Sequence, residues 1–392
     1  MVFIIKLIDR YVGRLICNFL GFFNKAEPIK NQKADYKGGY KGILVVQLWG
    51  IGETILTLPA IAALRKKFPK ANIDVLATPR NNDVYFNNSN VSGVFTVKLN
   101  PFSIIYFIIK NIKNYDIAID MEECLNISAI ISFFVGKRSI GYSHDARSRL
   151  YTEKVKYNDK QHAVQTFLDL ARVLGINDGT NALPKLNFSK RDKRFIKNFL
   201  KKSGIKDKDT VVCVAPGAAE SAKSRMWPSD RYAELCDEII SRHNAKIVFV
   251  GTSSETGLIE EIQQKIENED NAINAAGKTT LSQLFCLISR CNLFIGNDAG
   301  PMHIAAAQGV KTIGLFGPNI PLRFGPYGKG NIGVYNGHNC EFSPCINVHK
   351  GQVPDCLFPK SSNDYQKCMK NISVDDVLKA VDSVSIKKIN LA

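Results

Sequence analysis

The chain has 392 residues, 45% hydrophobic and 22% charged, with 52 Lys and Arg against 36 Asp and Glu and a formal net charge of +16. At roughly 150 residues per domain this is a folded chain of about two domains, which excludes a disordered, collagenous or polytopic membrane protein. The positive excess asks for an anionic partner: nucleic acid, an anionic membrane surface or a phosphate-bearing substrate.

The charge is concentrated. Residues 1–41 hold eight Lys and Arg against three acids, and residues 185–208 hold ten against two. Two local basic segments on a mixed surface do not resemble a uniformly basic nucleic-acid binder, and no nucleic-acid motif occurs, so no nucleic-acid partner is expected.

At the N-terminus, Lys6, Asp9, Arg10, Gly13, Arg14, Cys17, Asn18 and Gly21 alternate at spacings of three and one, one narrow polar stripe on an otherwise apolar helix. No apolar run reaches the ~18 residues of a membrane span. Charges interrupt the apolar core and no small-residue cleavage site follows, so a signal peptide is not expected. Two placements remain, flat in a membrane interface or docked on the protein's own core. The wide apolar coverage, with Lys6, Arg10 and Arg14 on the polar side, favours the interface. The basic stretch Lys25–Lys41 reads as a tether, which makes 1–41 a membrane-associating segment.

From Ile43 the pattern becomes strand, glycine loop and helix: ILVVQL, WGIGET, then ILTLPAIAALRKKFPKA. NIDVLAT, Val94–Leu99, YDIAIDM and KRSIGYS read as strands. Pro101–Asn114, Asn126–Val135 and HAVQTFLDLARVLGI read as helices. Pro184 and the basic linker and helix 185–208 close a first α/β domain, 42–184. A second, 209–392, repeats the alternation: TVVCVAPGA, a helix SDRYAELCDEIISRH capped by Ser229, KIVFVGT, ETGLIEEIQQKIEN, LSQLFCLISRC, LFIGNDAG, PMHIAAAQG and TIGLFGP. After Pro318 the period is lost until the closing helix SVDDVLKAVDSV. Such alternation means parallel sheets with helices on both faces, and two such domains offer ligands a cleft at the carboxyl ends of their strands.

Three strand-to-loop junctions carry candidate chemistry. In GNDAGPMHIAAAQG, Asp298, Ala299, Gly300, Pro301, Met302 and His303 stand where a strand gives way to a helix. Gly300 allows close backbone approach, and Pro301 suits a first helical turn. The free amides of a helix start suit a diphosphate. A plain helix cap with a satisfied histidine has the same sequence. In APGAAESAKSRMWP, Gly217 turns the chain, Ser221 offers a hydroxyl, and Lys223 or Arg225 can neutralise a leaving diphosphate. Glu255, after KIVFVGT, stands where an acidic residue can bind ribose hydroxyls. In WGIGETILTLP, Gly50, Gly52 and Thr54 frame Glu53, a candidate general base for an attacking hydroxyl, or simply a first-turn Glu favoured by the helix dipole. Neither GxGxxG nor GxxxxGK[ST] is present, which weakens NAD and P-loop readings.

Ten cysteines are present. Six (Cys17, Cys124, Cys213, Cys236, Cys286, Cys291) lie in apolar or helical segments and read as buried thiols. Cys340, Cys345, Cys356 and Cys368 gather near the end with neither zinc-finger nor CxxC spacing, so metal site, disulfides and packed thiols all stay open. Without a signal peptide, reduced thiols in a cytoplasmic protein are expected.

ILVVQLWGIGETILTLPAIAALRKKFPKANIDVLA, YDIAIDM, APGA…KSRMWPSDRYAEL, AAGKTTLSQLFCLISRCNLFIGNDAGPMHIAAAQGVKTIGLFGP and the late Cys…CM…I…V pattern resemble glycosyltransferase family 9, the heptosyltransferase-like enzymes of lipopolysaccharide core assembly. The likeness runs in order from about Ile43 to Val381. It implies an α/β GT-B fold, two Rossmann-like domains facing across a cleft, with acceptor on the first and nucleotide-sugar on the second. It also implies inverting transfer from a nucleotide-diphosphate sugar such as ADP-heptose to a lipid-linked saccharide. The distribution of positive charge and the N-terminal helix, not the resemblance, point to a phosphorylated glycolipid and to a peripheral station on the cytoplasmic face of the inner membrane.

In this resemblance Glu53 takes the position of the base, where Asp is usual. Arg225 takes that of a Lys, and Ala299 stands where Ser is common. No tightly bound cofactor is implied; Mg is compatible with Asp298 but not required. The alternatives are a nucleotide-sugar epimerase on the same fold and a catalytically weakened nucleotide-sugar-binding scaffold.

Overall fold

The computed structural model describes residues 7–24, 39–177 and 179–384. The chain divides into two compact units, Met1–Thr180 and Asn181–Ala392, each built on a six-stranded sheet.

The first unit opens with a π-type turn, Asp9–Gly13, that runs into helix α1 (Arg14–Gly21). There follow β1 (Gly42–Val46), α2 (Ile51–Lys67), β2 (Asn72–Ala77), β3 (Gly93–Thr96), α3 (Pro101–Lys110), β4 (Tyr115–Asp120), α4 (Asn126–Val135), β5 (Gly136–Tyr142), β6 (Glu153–Val155) and α5 (Ala163–Arg172). The strands pair in parallel in the order β3-β2-β1-β4-β5-β6, with Val45 in register with both Val75 and Ile119. Leu44, Val46, Leu76 and Ala118 of the sheet pack against Ile104 and Phe107 of α3 and Ile131 and Val135 of α4, so α3 and α4 cover the same face.

The N-terminal helix is docked on the first unit, and it docks by Asp9, Gly13, Cys17 and Gly21 of its polar stripe. Asp9 Oδ2 and Oδ1 accept from the backbone N–H groups of Asn126 and Ile127, at 2.9 and 2.8 Å, supplying α4 with a cap that its own N-cap residue Leu125 does not provide. Cys17 is fully buried beside Ala129 and Ile130. Gly13 lies against Asn126 and Gly21 against Arg149, each so close that a Cβ would collide. A stripe of small and polar residues permits such approach; the bulky apolar residues are turned outward. Lys6 and most of the tether 25–41 lie outside the described residues.

The second unit comprises α6 (Lys190–Lys202), β7 (Thr210–Ala215), α7 (Ser229–His243), β8 (Ala245–Phe249), α8 (Thr256–Gln263), β9 (Ala272–Asn274), α9 (Leu281–Ile288), β10 (Leu293–Asn297), α10 (Gly300–Gln308), β11 (Lys311–Phe316), α11 (Pro321–Phe324), β12 (Ile332–Tyr335), α12 (Lys367–Lys370) and α13 (Val374–Ser383). Its parallel order is β12-β11-β10-β7-β8-β9. The basic stretch becomes α6, opened by a Ser189–Asp192 capping box, with Ile196 and Leu200 buried and the helix packed on α9. Ser229 is not the cap of α7. Pro228 holds that position, and Ser229 Oγ donates to Glu261 at 2.7 Å instead.

Strands β6, β9 and β12 were not expected from the sequence, and all three are three- or four-residue strands at a sheet edge. A short edge strand pairs on one side only and needs no continuous apolar run, so it leaves little periodicity.

Candidate functional site

In each sheet the first strand lies beside the fourth, β1 beside β4 and β7 beside β10, so the strand order reverses there. Ligands bind in the crevice outside the carboxyl ends of strands at such a reversal. The candidate residues gather at these two places.

In the second unit the organiser is a residue the motif reading passed over. Asn297, buried at the end of β10, donates through Nδ2 to Pro216 O at 2.7 Å and Gly217 O at 3.3 Å. Its Oδ1 accepts from Trp227 N at 3.1 Å and Tyr232 OH at 3.0 Å. One amide thereby fixes the exit of β7 and the far end of the 3-10 turn Glu220–Arg225, to which Ser221 belongs.

That turn delivers Arg225 to Asp298. Arg225 Nη1 donates to Asp298 O at 3.0 Å and lies 3.3 Å from Asp298 Oδ2. The same Oδ2 accepts from Asn319 Nδ2 at 3.0 Å, and Asp298 is only 4% exposed. Its carboxylate is therefore an anchor for the guanidinium. Lys223, on the same turn, is exposed, and its carbonyl accepts from Gln366.

Ala299 is the extended N-cap residue of α10, φ −149°, with no side-chain cap, and Pro301 occupies the first turn beside Gly300. Pro301 carries no N–H and Met302 N donates to Ala299 O at 3.1 Å, so the helix start offers the Gly300 N–H and positive dipole charge beside Arg225, suited to an oxyanion. His303 is buried in this turn. Met302 is fully buried with its sulfur against Gly314 of β11, so it packs the helix on the sheet. Glu255 lies over Gly217, where a Cβ would collide with its carboxylate, while its Oε2 accepts from Thr252 N and Oγ1 in a capping box. Part of what the sequence offered as ribose recognition is therefore a helix cap.

In the first unit, Glu53 is half-buried in the first turn of α2. Gly50 precedes it with φ +60°, and a Cβ there would overlap the Glu53 carboxylate. Gly50 is needed twice, for its backbone angle and for the room it leaves. Gly52 and Thr54 are buried. Thr54 Oγ1 donates to Gly50 O at 2.6 Å and accepts from Asn81 Nδ2 at 2.8 Å, which closes the loop from within.

Glu122, after β4, was also missed. Its Oε1 accepts from the N–H groups of Leu48 at 2.6 Å and Trp49 at 2.7 Å and from Gln47 Nε2 at 3.0 Å. Burial, then the Asp120 charge, pushes its pKa up to about 8. Asp120 is itself bound to Arg147, Nη2 to Oδ2 2.8 Å, both side chains fully buried. A buried ion pair thus backs the carboxyl that holds the loop carrying Glu53.

All ten cysteines are free thiols. The four late ones line one small cavity with Ser224 and Gln366. Burial pushes Cys345 up to about 11 and Cys368 up to about 12. Among the described residues no three His, Cys, Asp or Glu side chains are grouped to hold a metal ion.

The family model for glycosyltransferase family 9 (heptosyltransferase) matches residues 108–350, more than half of the chain. The chain belongs to glycosyltransferase family 9. It is 25% identical over 298 residues to the lipopolysaccharide core heptosyltransferase OpsX of Haemophilus influenzae, covering 73% of this chain and 82% of that one. The structure of a family 9 glycosyltransferase from Veillonella parvula superposes with a TM-score of 0.74 at 25% identity, covering 88% of this chain and 97% of that one. The E. coli ADP-heptose lps heptosyltransferase II superposes with a TM-score of 0.67 at 20% identity, over 88% and 98% of the two chains. The family 9 chain has the expected GT-B architecture of two Rossmann-like units, and it is a glycosyltransferase. The epimerase alternative draws no comparable support.

Proposed function

We propose that the protein transfers a heptose, with inversion, from ADP-heptose to a phosphorylated, lipid-linked saccharide of a lipopolysaccharide core. The observation that carries this reading is the double contact of Arg225 with Asp298 beside the start of α10. It gives the second unit a fixed cation beside the positive end of a helix at one point, which suits the diphosphate of a nucleotide sugar. Relatives named as heptosyltransferases supply the sugar.

Glu53 takes the proton of the acceptor hydroxyl as its oxygen attacks the anomeric carbon. The bond from that carbon to the diphosphate oxygen breaks, and its electron pair leaves with the nucleotide. Arg225, Lys223 and the helix start at Gly300–His303 offset the charge that develops there. In this scheme a divalent cation such as Mg is not required, and no nucleic acid takes part. The basic, apolar N-terminus supports a peripheral station on an anionic membrane, the cytoplasmic face of the inner membrane, where a glycolipid acceptor is met.

Purified protein incubated with ADP-heptose, or with other nucleotide sugars, and truncated core glycolipid tests the reading through nucleotide release. Release with ADP-heptose that depends on acceptor is expected. Absence of release with any donor overturns it.

A further inference from the structure

We infer that the N-terminal helix and α3 form one lipid-docking face of the first unit, with α3 a second inserting element beside α1. This inference rests on the peripheral-membrane reading above and extends it from the N-terminus to a helix of the first α/β unit.

Helices of a water-soluble unit turn their apolar side inward, because that removes apolar surface from water. Both of these do otherwise. The N-terminal helix is held by Asp9, Gly13, Cys17 and Gly21, and nine large apolar side chains between Leu7 and Phe23 stay exposed, Phe22 at 79%. In α3, Ile104 and Phe107 suffice to anchor the helix to the core. Five more large apolar side chains between Phe102 and Ile112 remain exposed, Phe102 at 88%.

The two exposed sets belong together. α1 and α3 both pack against α4, and α3 shares with α4 one face of the first sheet. Fourteen exposed large apolar side chains, on two helices that flank a third and in the turns that follow them, are far more than the singly scattered ones an ordinary monomer shows to water.

Charge selects the occupant. Arg10, Arg14 and Lys110 are exposed on these helices, and Lys110 Nζ lies 4.6 Å from the ring centre of Tyr106. The acid of the N-terminal helix, Asp9, is turned inward as a cap, and α3 contains no acid. A second copy on this face would set like charges against each other. An anionic bilayer complements them, with apolar side chains in the acyl boundary, Tyr rings at the headgroups and Arg and Lys reaching phosphate.

The test is co-sedimentation of the full chain with vesicles of phosphatidylglycerol and phosphatidylethanolamine, against neutral phosphatidylcholine. The triple substitution Phe102→Ser, Ile105→Asn, Ile109→Asn removes the α3 contribution; Leu15→Ser, Phe19→Ser removes that of the N-terminal helix. Thermal melting checks the fold of each. Wild type is expected to bind the anionic vesicles, and each variant to lose tenfold or more in partitioning. The α3 variant is expected to keep its nucleotide release with a delipidated acceptor. Wild-type binding by a folded α3 variant, with loss in the Leu15/Phe19 variant alone, overturns the inference and leaves the membrane reading standing. No vesicle binding by wild type overturns both. Concentration-dependent dimerisation that disappears in the α3 variant, with vesicle binding unchanged, assigns the face to a second copy and overturns the inference.

Discussion

Arg225 is bound to Asp298 twice by one nitrogen, Nη1 to the backbone oxygen at 3.0 Å and to Oδ2 at 3.3 Å, so the guanidinium is held in place from one side. Arg225→Ala is expected to lower kcat for nucleotide release by about 10²–10³, the loss typical of removing one preorganised donor at a developing anion. Arg225→Lys keeps the charge without the fork and should fall between. Asp298→Asn retains an oxygen for Asn319 and Arg225 but not the charge, and about a tenfold loss is expected. Steady-state kinetics of the three variants, with kcat and KM resolved, checks the order; an unimpaired Arg225→Ala enzyme would refute the assignment.

Glu53 and Gly50 form a second linked pair. If Glu53 is the base, Glu53→Gln abolishes turnover while donor binding, read by a thermal shift with ADP, is retained. Glu53→Asp moves the carboxylate back by one methylene and should retain part of the activity. Gly50→Ala adds a Cβ into the Glu53 carboxylate at φ +60°, so it should displace the base. A stability cost of about 1–2 kcal/mol is expected from that strain. Activity loss well beyond what the melting shift explains is the expected signature.

The two junctions were legible because their punctuation is local: Gly50, Gly217 and Gly300–Pro301 each mark a strand-to-helix turn within a few residues. The residues that hold them were not. Asn297 acts on Pro216 and Trp227, some seventy to eighty residues away, and Glu122 acts on Leu48 and Trp49 at similar separation. In one dimension a buried amide or carboxyl looks like any other polar residue. The N-terminal stripe was equally visible, yet periodicity states which residues share a face and not which face turns inward. Small residues won that contest because Gly13 and Gly21 allow close approach and Asp9 meets unpaired amides.

Glu122 predicts a pH dependence. Its pKa in the folded chain is raised from an ordinary 4.5 to about 8, so between these values the native state holds a proton that the unfolded chain has released. The stabilising contribution is complete below about 4.5 and is lost as pH rises through about 8, with a slope of up to about 1.4 kcal/mol per pH unit. Glu122→Gln keeps an oxygen for Leu48 and Trp49 but cannot ionise. Its melting temperature should fall less steeply than wild type between pH 5 and 8, and nucleotide release should survive. Parallel melting curves for the two proteins would refute the role. Glu122→Ala removes the acceptor and should cost activity at every pH.

Asp9 predicts what holds the N-terminal helix. Its carboxylate accepts from two backbone amides at the start of α4, and burial raises its pKa above the ordinary carboxylate value despite those bonds. The ordinary value is 3.8, so the contribution of this group is present at low pH and lost as pH rises through the raised folded value. Above that range the carboxylate remains the stronger acceptor for both amides. Asp9→Ala leaves those amides without their cap and is expected to cost about 1 kcal/mol. Asp9→Asn should cost less, because its side-chain oxygen still accepts one of the two. Hydrogen exchange of the Asn126 and Ile127 amides gives the direct readout: both should be slow in wild type and at least tenfold faster in Asp9→Ala. Unchanged exchange would mean that the helix is seated by Cys17, Gly13 and Gly21 alone.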